Sequence, residues 1–74
     1  MFHARELVAT IPTRIKEFRV QHGLGEQTLS ARTGIPEERL RSIESGVSLP
    51  SLDDLQRIAV GLGVQLQDLI APRR

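Results

Sequence analysis

Charged side chains able to bind planar or anionic groups cluster in residues 36–45, PEERLRSIES. Arg39 and Arg41 carry guanidinium groups, whose paired N–H donors match the acceptors of a guanine edge or a phosphate. Glu37 and Glu38 precede them, and a carboxylate can accept a hydrogen bond from the amino group of cytosine. These residue types in one short helix are suited to contacting nucleic-acid bases.

The same side chains also have a purely structural explanation. Carboxylates in the first turn of a helix stabilise its dipole by about 0.3–1 kcal/mol each, which accounts for Glu37 and Glu38 without any ligand. Glu37 and Arg41 stand at i and i+4, where an exposed pair contributes about 0.2–0.5 kcal/mol. The two interpretations of Arg41 are compatible, because Arg41 can pair with Glu37 in the free protein and exchange that partner for DNA on binding. We expect Arg41 to contact a base edge and Arg39 a phosphate.

Two short helices joined at a glycine would position this stretch. A second helix is predicted over about 26–33 and a third over about 36–45, where Leu40 and Ile43 recur three residues apart on one face. Gly34 stands between the two helices and can adopt the left-handed conformation that a sharp reversal of the chain requires.

The remaining residues predict three more helices and no strand. Residues 1–10 are predicted to form an arm or a short extra helix, because Pro12 disfavours helix at the preceding residue and suits the start of helix one. Residues 72–74 form a short basic tail after a fifth helix, of one or two turns, that begins near Val64. The predicted fold class is all-α.

Helix four has the clearest apolar pattern. Ser51 is its predicted N-cap, Leu49 is expected to tuck inward before it, and Gly61 marks either fraying or a close helix contact. The predicted buried stripe consists of Leu52, Leu55, Ile58, Ala59 and Leu62.

Composition limits the classes of function. The chain has 74 residues, a net charge of +1, no cysteine and two histidines, so it predicts one small domain with neither a disulfide nor a metal or other cofactor. No apolar run approaches the roughly 20 residues that cross a bilayer, and no signal-peptide pattern occurs, so a cytoplasmic protein without membrane contact is expected. A nucleophile–base pair and a glycine-rich phosphate loop are both missing from the sequence, which argues against an enzyme.

Residues 11–70 as a whole resemble the phage-repressor-like helix-turn-helix family, which includes Cro, the lambda-type repressors and the small bacterial regulators called XRE-type. The matching positions include Arg14-Ile15-Lys16, Gly23-Leu24, Gly34-Ile35, Ile43-Glu44, Pro50-Ser51 and Arg57-Ile58-Ala59. The resemblance implies a compact five-helix, lambda-repressor-like DNA-binding domain over residues 11–71. It also implies a homodimer that binds a palindromic operator in double-stranded DNA.

The resemblance further implies which residues face the DNA, since in this family the start of helix two grips a phosphate and helix three meets the bases. Carried onto this sequence, the DNA-binding set is Gly25, Glu26, Gln27, Pro36, Glu37, Glu38, Arg39, Arg41, Ser42, Ser45 and Ser48. The family usually has glutamine at the Glu26 site and often a basic residue in the loop after Gly46. A glutamate at position 26 would repel phosphate. Glu37 and Glu38 would each cost affinity against phosphate too, so we expect weaker or more salt-sensitive binding than in basic relatives unless Arg39, Arg41 and the N-terminal arm compensate.

Two structural roles complete the interpretation. The resemblance pairs Glu44 with Arg14, and a partly buried pair of this kind would lock helix one against helix three. Val60, Leu66 and Ile70 form an apolar surplus that either completes a thin core or forms a two-fold dimer interface, and we favour the dimer.

Two classes of function compete. The favoured hypothesis is a sequence-specific transcriptional regulator, a small repressor or autoregulator that reads the major groove as a homodimer. The alternative is a protein-interaction module, for example an antitoxin-like or regulator-binding protein, whose acidic third helix has lost its affinity for DNA. Residues 26–46 favour the alternative, because they carry three arginines against four glutamates.

Overall fold

The computed structural model describes the backbone of residues 4–70 and the side chains of residues 10–70. Five helices follow one another in this part of the chain, which contains no strand, so the all-α, five-helix prediction is confirmed. They are α1 (Ala4–Gln21), α2 (Glu26–Thr33), α3 (Glu37–Glu44), α4 (Leu52–Leu62) and α5 (Leu66–Ile70). None of these described helices is both long and apolar enough to cross a membrane. The predicted basic tail, 72–74, lies outside the described residues.

The first helix is longer than predicted. The expectation that helix one begins at Pro12 is wrong, because α1 is continuous from Ala4 and contains Pro12 in its interior. A proline inside a helix costs about 3 kcal/mol through its missing N–H and its clash with the preceding turn. Burial of apolar side chains before and after Pro12 offsets that cost, since Ile11 is 7% exposed and Ile15 is 0% exposed. Of the predicted arm, residues 4–10 therefore belong to α1, and residues 1–3 lie outside the described residues.

Every helix contributes to one apolar core. α2 packs against α3 and α4, while α1 packs against α3, α4 and α5. Burying a large aliphatic side chain contributes about 1.5–3 kcal/mol, so these residues supply most of the stability of a chain that lacks disulfides. The largest fully buried side chains are Ile15, Leu29, Leu40, Ile43, Ile58, Leu62 and Leu69.

Leu49 and Leu52 were expected inside, and the structure shows that this is wrong. Leu49 is 71% exposed and Leu52 is 60% exposed. The loop before α4 is held by backbone bonds instead, because the amides of Val47 and Ser48 both donate to the Ser42 carbonyl, at 2.9 and 3.1 Å. Leu52 is the first residue of α4. It lies about 70° around the helix axis from the centre of the row of buried apolar side chains, Leu55, Ile58, Ala59 and Leu62.

The turn between α2 and α3 is held by hydrogen bonds among its own polar groups. Gly34 ends α2 with a φ of 75°, and its N–H donates to the Ser30 carbonyl at 2.9 Å. The hydroxyl of the buried Thr33 donates to Leu29 O at 2.9 Å and accepts from the Ile35 amide at 3.1 Å. The Ser30 hydroxyl donates to the Ile35 carbonyl at 2.6 Å. Because the amides of Gly34 and Ile35 and the carbonyl of Ile35 are hydrogen-bonded, the turn can bury Ile35 and fix the angle between α2 and α3.

Gly61 in α4 allows α2 to approach closely. A Cβ at this position would lie 2.7 Å from Thr33 Cγ2 and 3.3 Å from Leu29 Cδ1. The contact with α2 explains why a glycine occupies a helix interior, where it costs about 1 kcal/mol relative to alanine.

We expect Gly61→Ala to destabilise the protein by about 1–3 kcal/mol, because the overpacking at Thr33 exceeds the gain in helix propensity. Urea unfolding measures the change. Thr33→Ser removes the methyl group and keeps the hydroxyl, so it should restore part of the loss in the double variant. A Gly61→Ala variant more stable than the parent would contradict this packing.

Arg19, not Arg14, is the partner of Glu44, which corrects the predicted ion pair. Arg19 Nε and Nη2 donate to the two Glu44 carboxylate oxygens at 2.7 and 2.9 Å, and both side chains are nearly buried, at 12% and 5% exposed. Arg19 lies only about 40° around α1 from the buried Ile15, whereas Arg14 lies about 100° away. Arg14 instead reaches the end of the bundle, where its Nη1 donates to the Asp68 carbonyl at 3.3 Å.

We expect Arg19→Met and Glu44→Met each to destabilise the fold by about 3 kcal/mol, because each leaves one nearly buried charge without its partner. The double variant should be more stable than either single one, since it removes both charges and keeps apolar volume. Urea denaturation of the four proteins measures the coupling. Additive losses would rule out the pair.

Candidate nucleic-acid interface

The first turns of α2 and α3 are both open. Gly25 and Pro36 occupy their N-cap positions, and no side chain caps either helix. The backbone bonds of the two helices start at Leu29 N→Gly25 O and Leu40 N→Pro36 O, both 3.0 Å. The amides of the first three residues of each helix therefore precede the hydrogen-bond ladder, and such amides together with the helix dipole attract anions.

The start of α4 is closed, in contrast. Ser51 Oγ accepts from the Asp54 amide at 3.0 Å, and Asp54 Oδ2 accepts from the Ser51 amide at 2.9 Å. This reciprocal capping box satisfies two of the amide donors that a phosphate would otherwise bind, those of Ser51 and Asp54. The open starts of α2 and α3 thus differ chemically from that of α4.

Arg41 joins the two open helix starts. Its Nε donates to Glu26 Oε1 at 3.3 Å and its Nη2 donates to Glu37 Oε1 at 3.1 Å. The Arg41 side chain remains 56% exposed. The structure thus brings together Glu26, Glu37 and Arg41 from the predicted DNA-binding set, and the i, i+4 pair expected for the free protein is present.

Arg39 is engaged elsewhere in this structure. Its Nη2 donates to Asp54 Oδ2 at 2.5 Å, so α3 is tied to the capping box of α4. The hydrogen bond from Arg39, with those from the Ser51 amide and hydroxyl, holds the pKa of Asp54 below its ordinary value. A phosphate contact by Arg39 stays a prediction, and it requires DNA to displace Asp54.

The predicted serines hold the end of α3. The carbonyl of the half-buried Ser42 accepts from the Ser45 hydroxyl at 3.1 Å and from the Ser48 amide at 3.1 Å. Gln27, Pro36 and Glu38 are exposed at the starts of α2 and α3. These geometries place the serines where they shape the loop, and their contacts with DNA stay predictions.

A cleft of about 160 Å³ lies between α1, the start of α2 and the second half of α3, lined by Lys16, Arg19, Glu26, Arg41, Glu44 and Ser45. Lys16 was not among the predicted DNA ligands, although it is exposed and makes no ion pair with the described residues. Lys16 follows the buried Ile15 on α1 and lies next to the charged side chains of α3. This proximity could not be predicted from the sequence, because it depends on how α1 packs against α3. Among the described residues, no three histidine, cysteine or carboxylate side chains are grouped to hold a metal ion.

Comparison with known proteins decides the family. The helix-turn-helix family model matches residues 15–69, which include all of α2 to α4 and nearly all of α5. The chain belongs to the XRE-type helix-turn-helix family of DNA-binding transcriptional regulators.

Relatives of this helix-turn-helix regulator differ in length. An uncharacterised HTH-type transcriptional regulator of Archaeoglobus fulgidus is 33% identical over 57 residues, which are 77% of this chain and 81% of that protein. The HTH-type transcriptional regulator SutR of Escherichia coli is 33% identical over 66 residues, which are 89% of this chain but 37% of SutR. The crystal structure of the restriction-modification controller protein C.AhdI from Aeromonas hydrophila has a TM-score of 0.81 and 26% identity, covering 88% of this chain and 97% of that one.

The stability conferred by Asp54 should depend on pH. Its pKa is lower in the folded than in the unfolded chain, so its contribution is complete above the ordinary value of 3.8 and is lost as pH falls through the folded pKa. We expect Asp54→Asn to cost about 1 kcal/mol near pH 7, the order of a lost helix cap. Urea unfolding of both proteins from pH 7 to pH 3 should show the difference shrinking below about pH 4.

Asp53→Asn is the matched control, because among the described residues Asp53 forms an ion pair only with Arg57, on the surface of α4, and its side chain is 69% exposed. An exposed pair contributes little, and a highly exposed carboxylate gains only the low end of the range of about 0.3–1 kcal/mol from the helix dipole, so Asp53→Asn should change stability by about 0.5 kcal/mol or less. Equal effects of the two variants would contradict the role of the Asp54 capping box.

Proposed function

We propose that this regulator binds a two-fold symmetric operator as a homodimer and represses transcription there, acting in the cytoplasm as a small repressor or autoregulator. The observation that carries the proposal is the pair of open helix starts, α2 and α3, joined by the exposed guanidinium of Arg41. An anion site and a base-reading group thereby share one face of the domain.

Phosphate binding is assigned to the start of α2. Gly25 has no side chain to occupy the amides of the first turn, and the amides of residues 26–28 supply donors without adding charge. Lys16 lines the adjoining cleft and supplies a positive charge. The amide donors and Lys16 offset part of the repulsion that the Glu26 carboxylate exerts on a phosphate at this helix start.

Base reading is assigned to α3. Arg41 has the donor pattern that recognises guanine, and the exposed Glu38 can accept from the amino group of cytosine. Arg39 can add a phosphate contact where DNA displaces it from Asp54. One such helix contacts few base pairs, and two copies about 34 Å apart double the sequence that is read.

Dimerisation is assigned to the exposed apolar side of α4. Leu66 and Ile70 are only half-buried and pack partly against the core, whereas Val60 is 80% exposed. Gln56, Asp53 and Arg57 line a cavity of about 290 Å³ beside Val60. A surface carrying an apolar centre and both signs of charge can pair with its own copy around a two-fold axis.

Selection from randomised duplex DNA tests the proposal. We expect the protein to enrich an inverted repeat whose half-sites are about 10 base pairs apart from centre to centre. Binding should weaken steeply with salt, since phosphate contacts release counterions. Absence of DNA affinity even at low salt would favour the protein-interaction module instead.

Val60→Asp tests the dimer in the same assay, because a charge on the two-fold contact should separate the copies. We expect a monomer by analytical ultracentrifugation and at least a tenfold loss of affinity for the inverted repeat, with a single half-site still bound weakly. Val20→Asp is the control, since Val20 is a 61% exposed helical valine on α1. A dimer that survives Val60→Asp, or is lost equally in both variants, would contradict the assigned interface.

A further inference from the structure

Two carboxylates from different helices hold one guanidinium on the proposed DNA face. Glu26 on α2 accepts from Arg41 Nε at 3.3 Å, and Glu37 on α3 accepts from Nη2 at 3.1 Å. We call this group the Glu26–Arg41–Glu37 clasp. The side chains of Glu26 and Glu37 are 28% and 42% exposed, so the clasp lies at the surface, where DNA can reach it.

The clasp leaves part of the guanidinium available. Arginine has five N–H donors, one on Nε and two on each terminal nitrogen. The two carboxylates use the Nε donor and one Nη2 donor, and no other described side chain takes up the two Nη1 donors or the second Nη2 donor. Nη1 and Nη2 together form the end of the planar fork, which matches the O6 and N7 acceptors of guanine. Arg41 can therefore bind guanine while it keeps both carboxylates.

The net charge of the clasp favours a neutral guanine edge over an anionic phosphate. One guanidinium with two carboxylates has a net charge of −1, and neither carboxylate has another ion-pair partner among the described residues. A phosphate carries its own negative charge and is repelled at this distance, by about 1 kcal/mol or more in partly desolvated surroundings. The guanine edge is neutral and pays no such cost.

We propose that Glu26 is a specificity-determining residue: by holding Arg41 from the neighbouring helix, it turns this arginine from a general phosphate anchor into a selective reader of guanine. Glu26 acts through Arg41 and is thus a positioning residue. The inference rests on the proposed function, because it needs this face to meet DNA. Its effect is to lower affinity for random DNA more than affinity for the operator.

The test compares Glu26→Gln with Glu38→Gln and Arg41→Ala on the selected operator and on random duplex. Each glutamine variant removes one negative charge from the same face, but the exposed Glu38 makes no ion pair with the described residues. Scanning the operator one base pair at a time identifies the guanine whose preference disappears in Arg41→Ala. That preference should be about 5- to 150-fold in the parent, the discrimination of a good bidentate pair.

We expect Glu26→Gln to bind random duplex more tightly and to lose most of the preference at that one guanine. Its log-affinity against log-salt slope on random duplex should steepen by about 0.9, the value of one added phosphate contact. Glu38→Gln should also raise affinity for random duplex, and any base preference that it loses should lie at the cytosine assigned to Glu38, so the guanine preference is kept. Circular dichroism of each variant verifies the fold, because all three positions lie on the surface.

Two results would overturn the inference while leaving the proposed function intact: an operator on which Arg41→Ala changes no base preference, or equal behaviour of Glu26→Gln and Glu38→Gln. Failure of the parent protein to enrich any sequence would reject the proposed function and the inference with it.

Discussion

The nearly buried pair of Arg19 and Glu44 is the contact on which the rest of the structure depends. All three guanidinium nitrogens are used, because Nε and Nη2 bind the Glu44 carboxylate and Nη1 donates to the Leu24 carbonyl at 2.9 Å. One side chain on α1 thus fixes the end of α3 and the segment that leads into α2. Planar, bidentate geometry makes this link directional as well as strong, so the two helices that form the proposed DNA face cannot shift independently.

Helix ends then decide which surface can bind an anion. α4 closes its own start with Ser51 and Asp54, whereas α2 and α3 start at Gly25 and Pro36, which offer no capping side chain. Leaving those amides without a side-chain cap forgoes some stability, about a few tenths of a kcal/mol for a glycine N-cap such as Gly25, a cost that fits a site reserved for a ligand. Stability and binding are thereby assigned to different helix starts of one small domain.

The helical order and the turn could be predicted from sequence, because the apolar spacing of Leu40 and Ile43 and the glycine at position 34 are local signals. The contacts between helices could not be predicted from the sequence. Glu44 was paired with the wrong arginine since both candidates lie on α1, and only the angular position relative to the buried Ile15 separates them. The predicted burial of Leu49 and Leu52 is wrong, because apolar character alone does not show that hydrogen bonds to the Ser42 carbonyl hold the loop before α4. Likewise, the pairing of Arg39 with Asp54 joins residues fifteen positions apart.

The central claim is that DNA meets the open starts of α2 and α3. An ¹⁵N-labelled sample titrated with the selected operator duplex tests it most directly by NMR. We predict that the largest amide shifts fall on residues 26–28 and 37–41, together with a shift of the Arg41 Nε–H signal. Shifts centred on the exposed loop of Val47 and Leu49, with those two helix starts unchanged, would contradict the account.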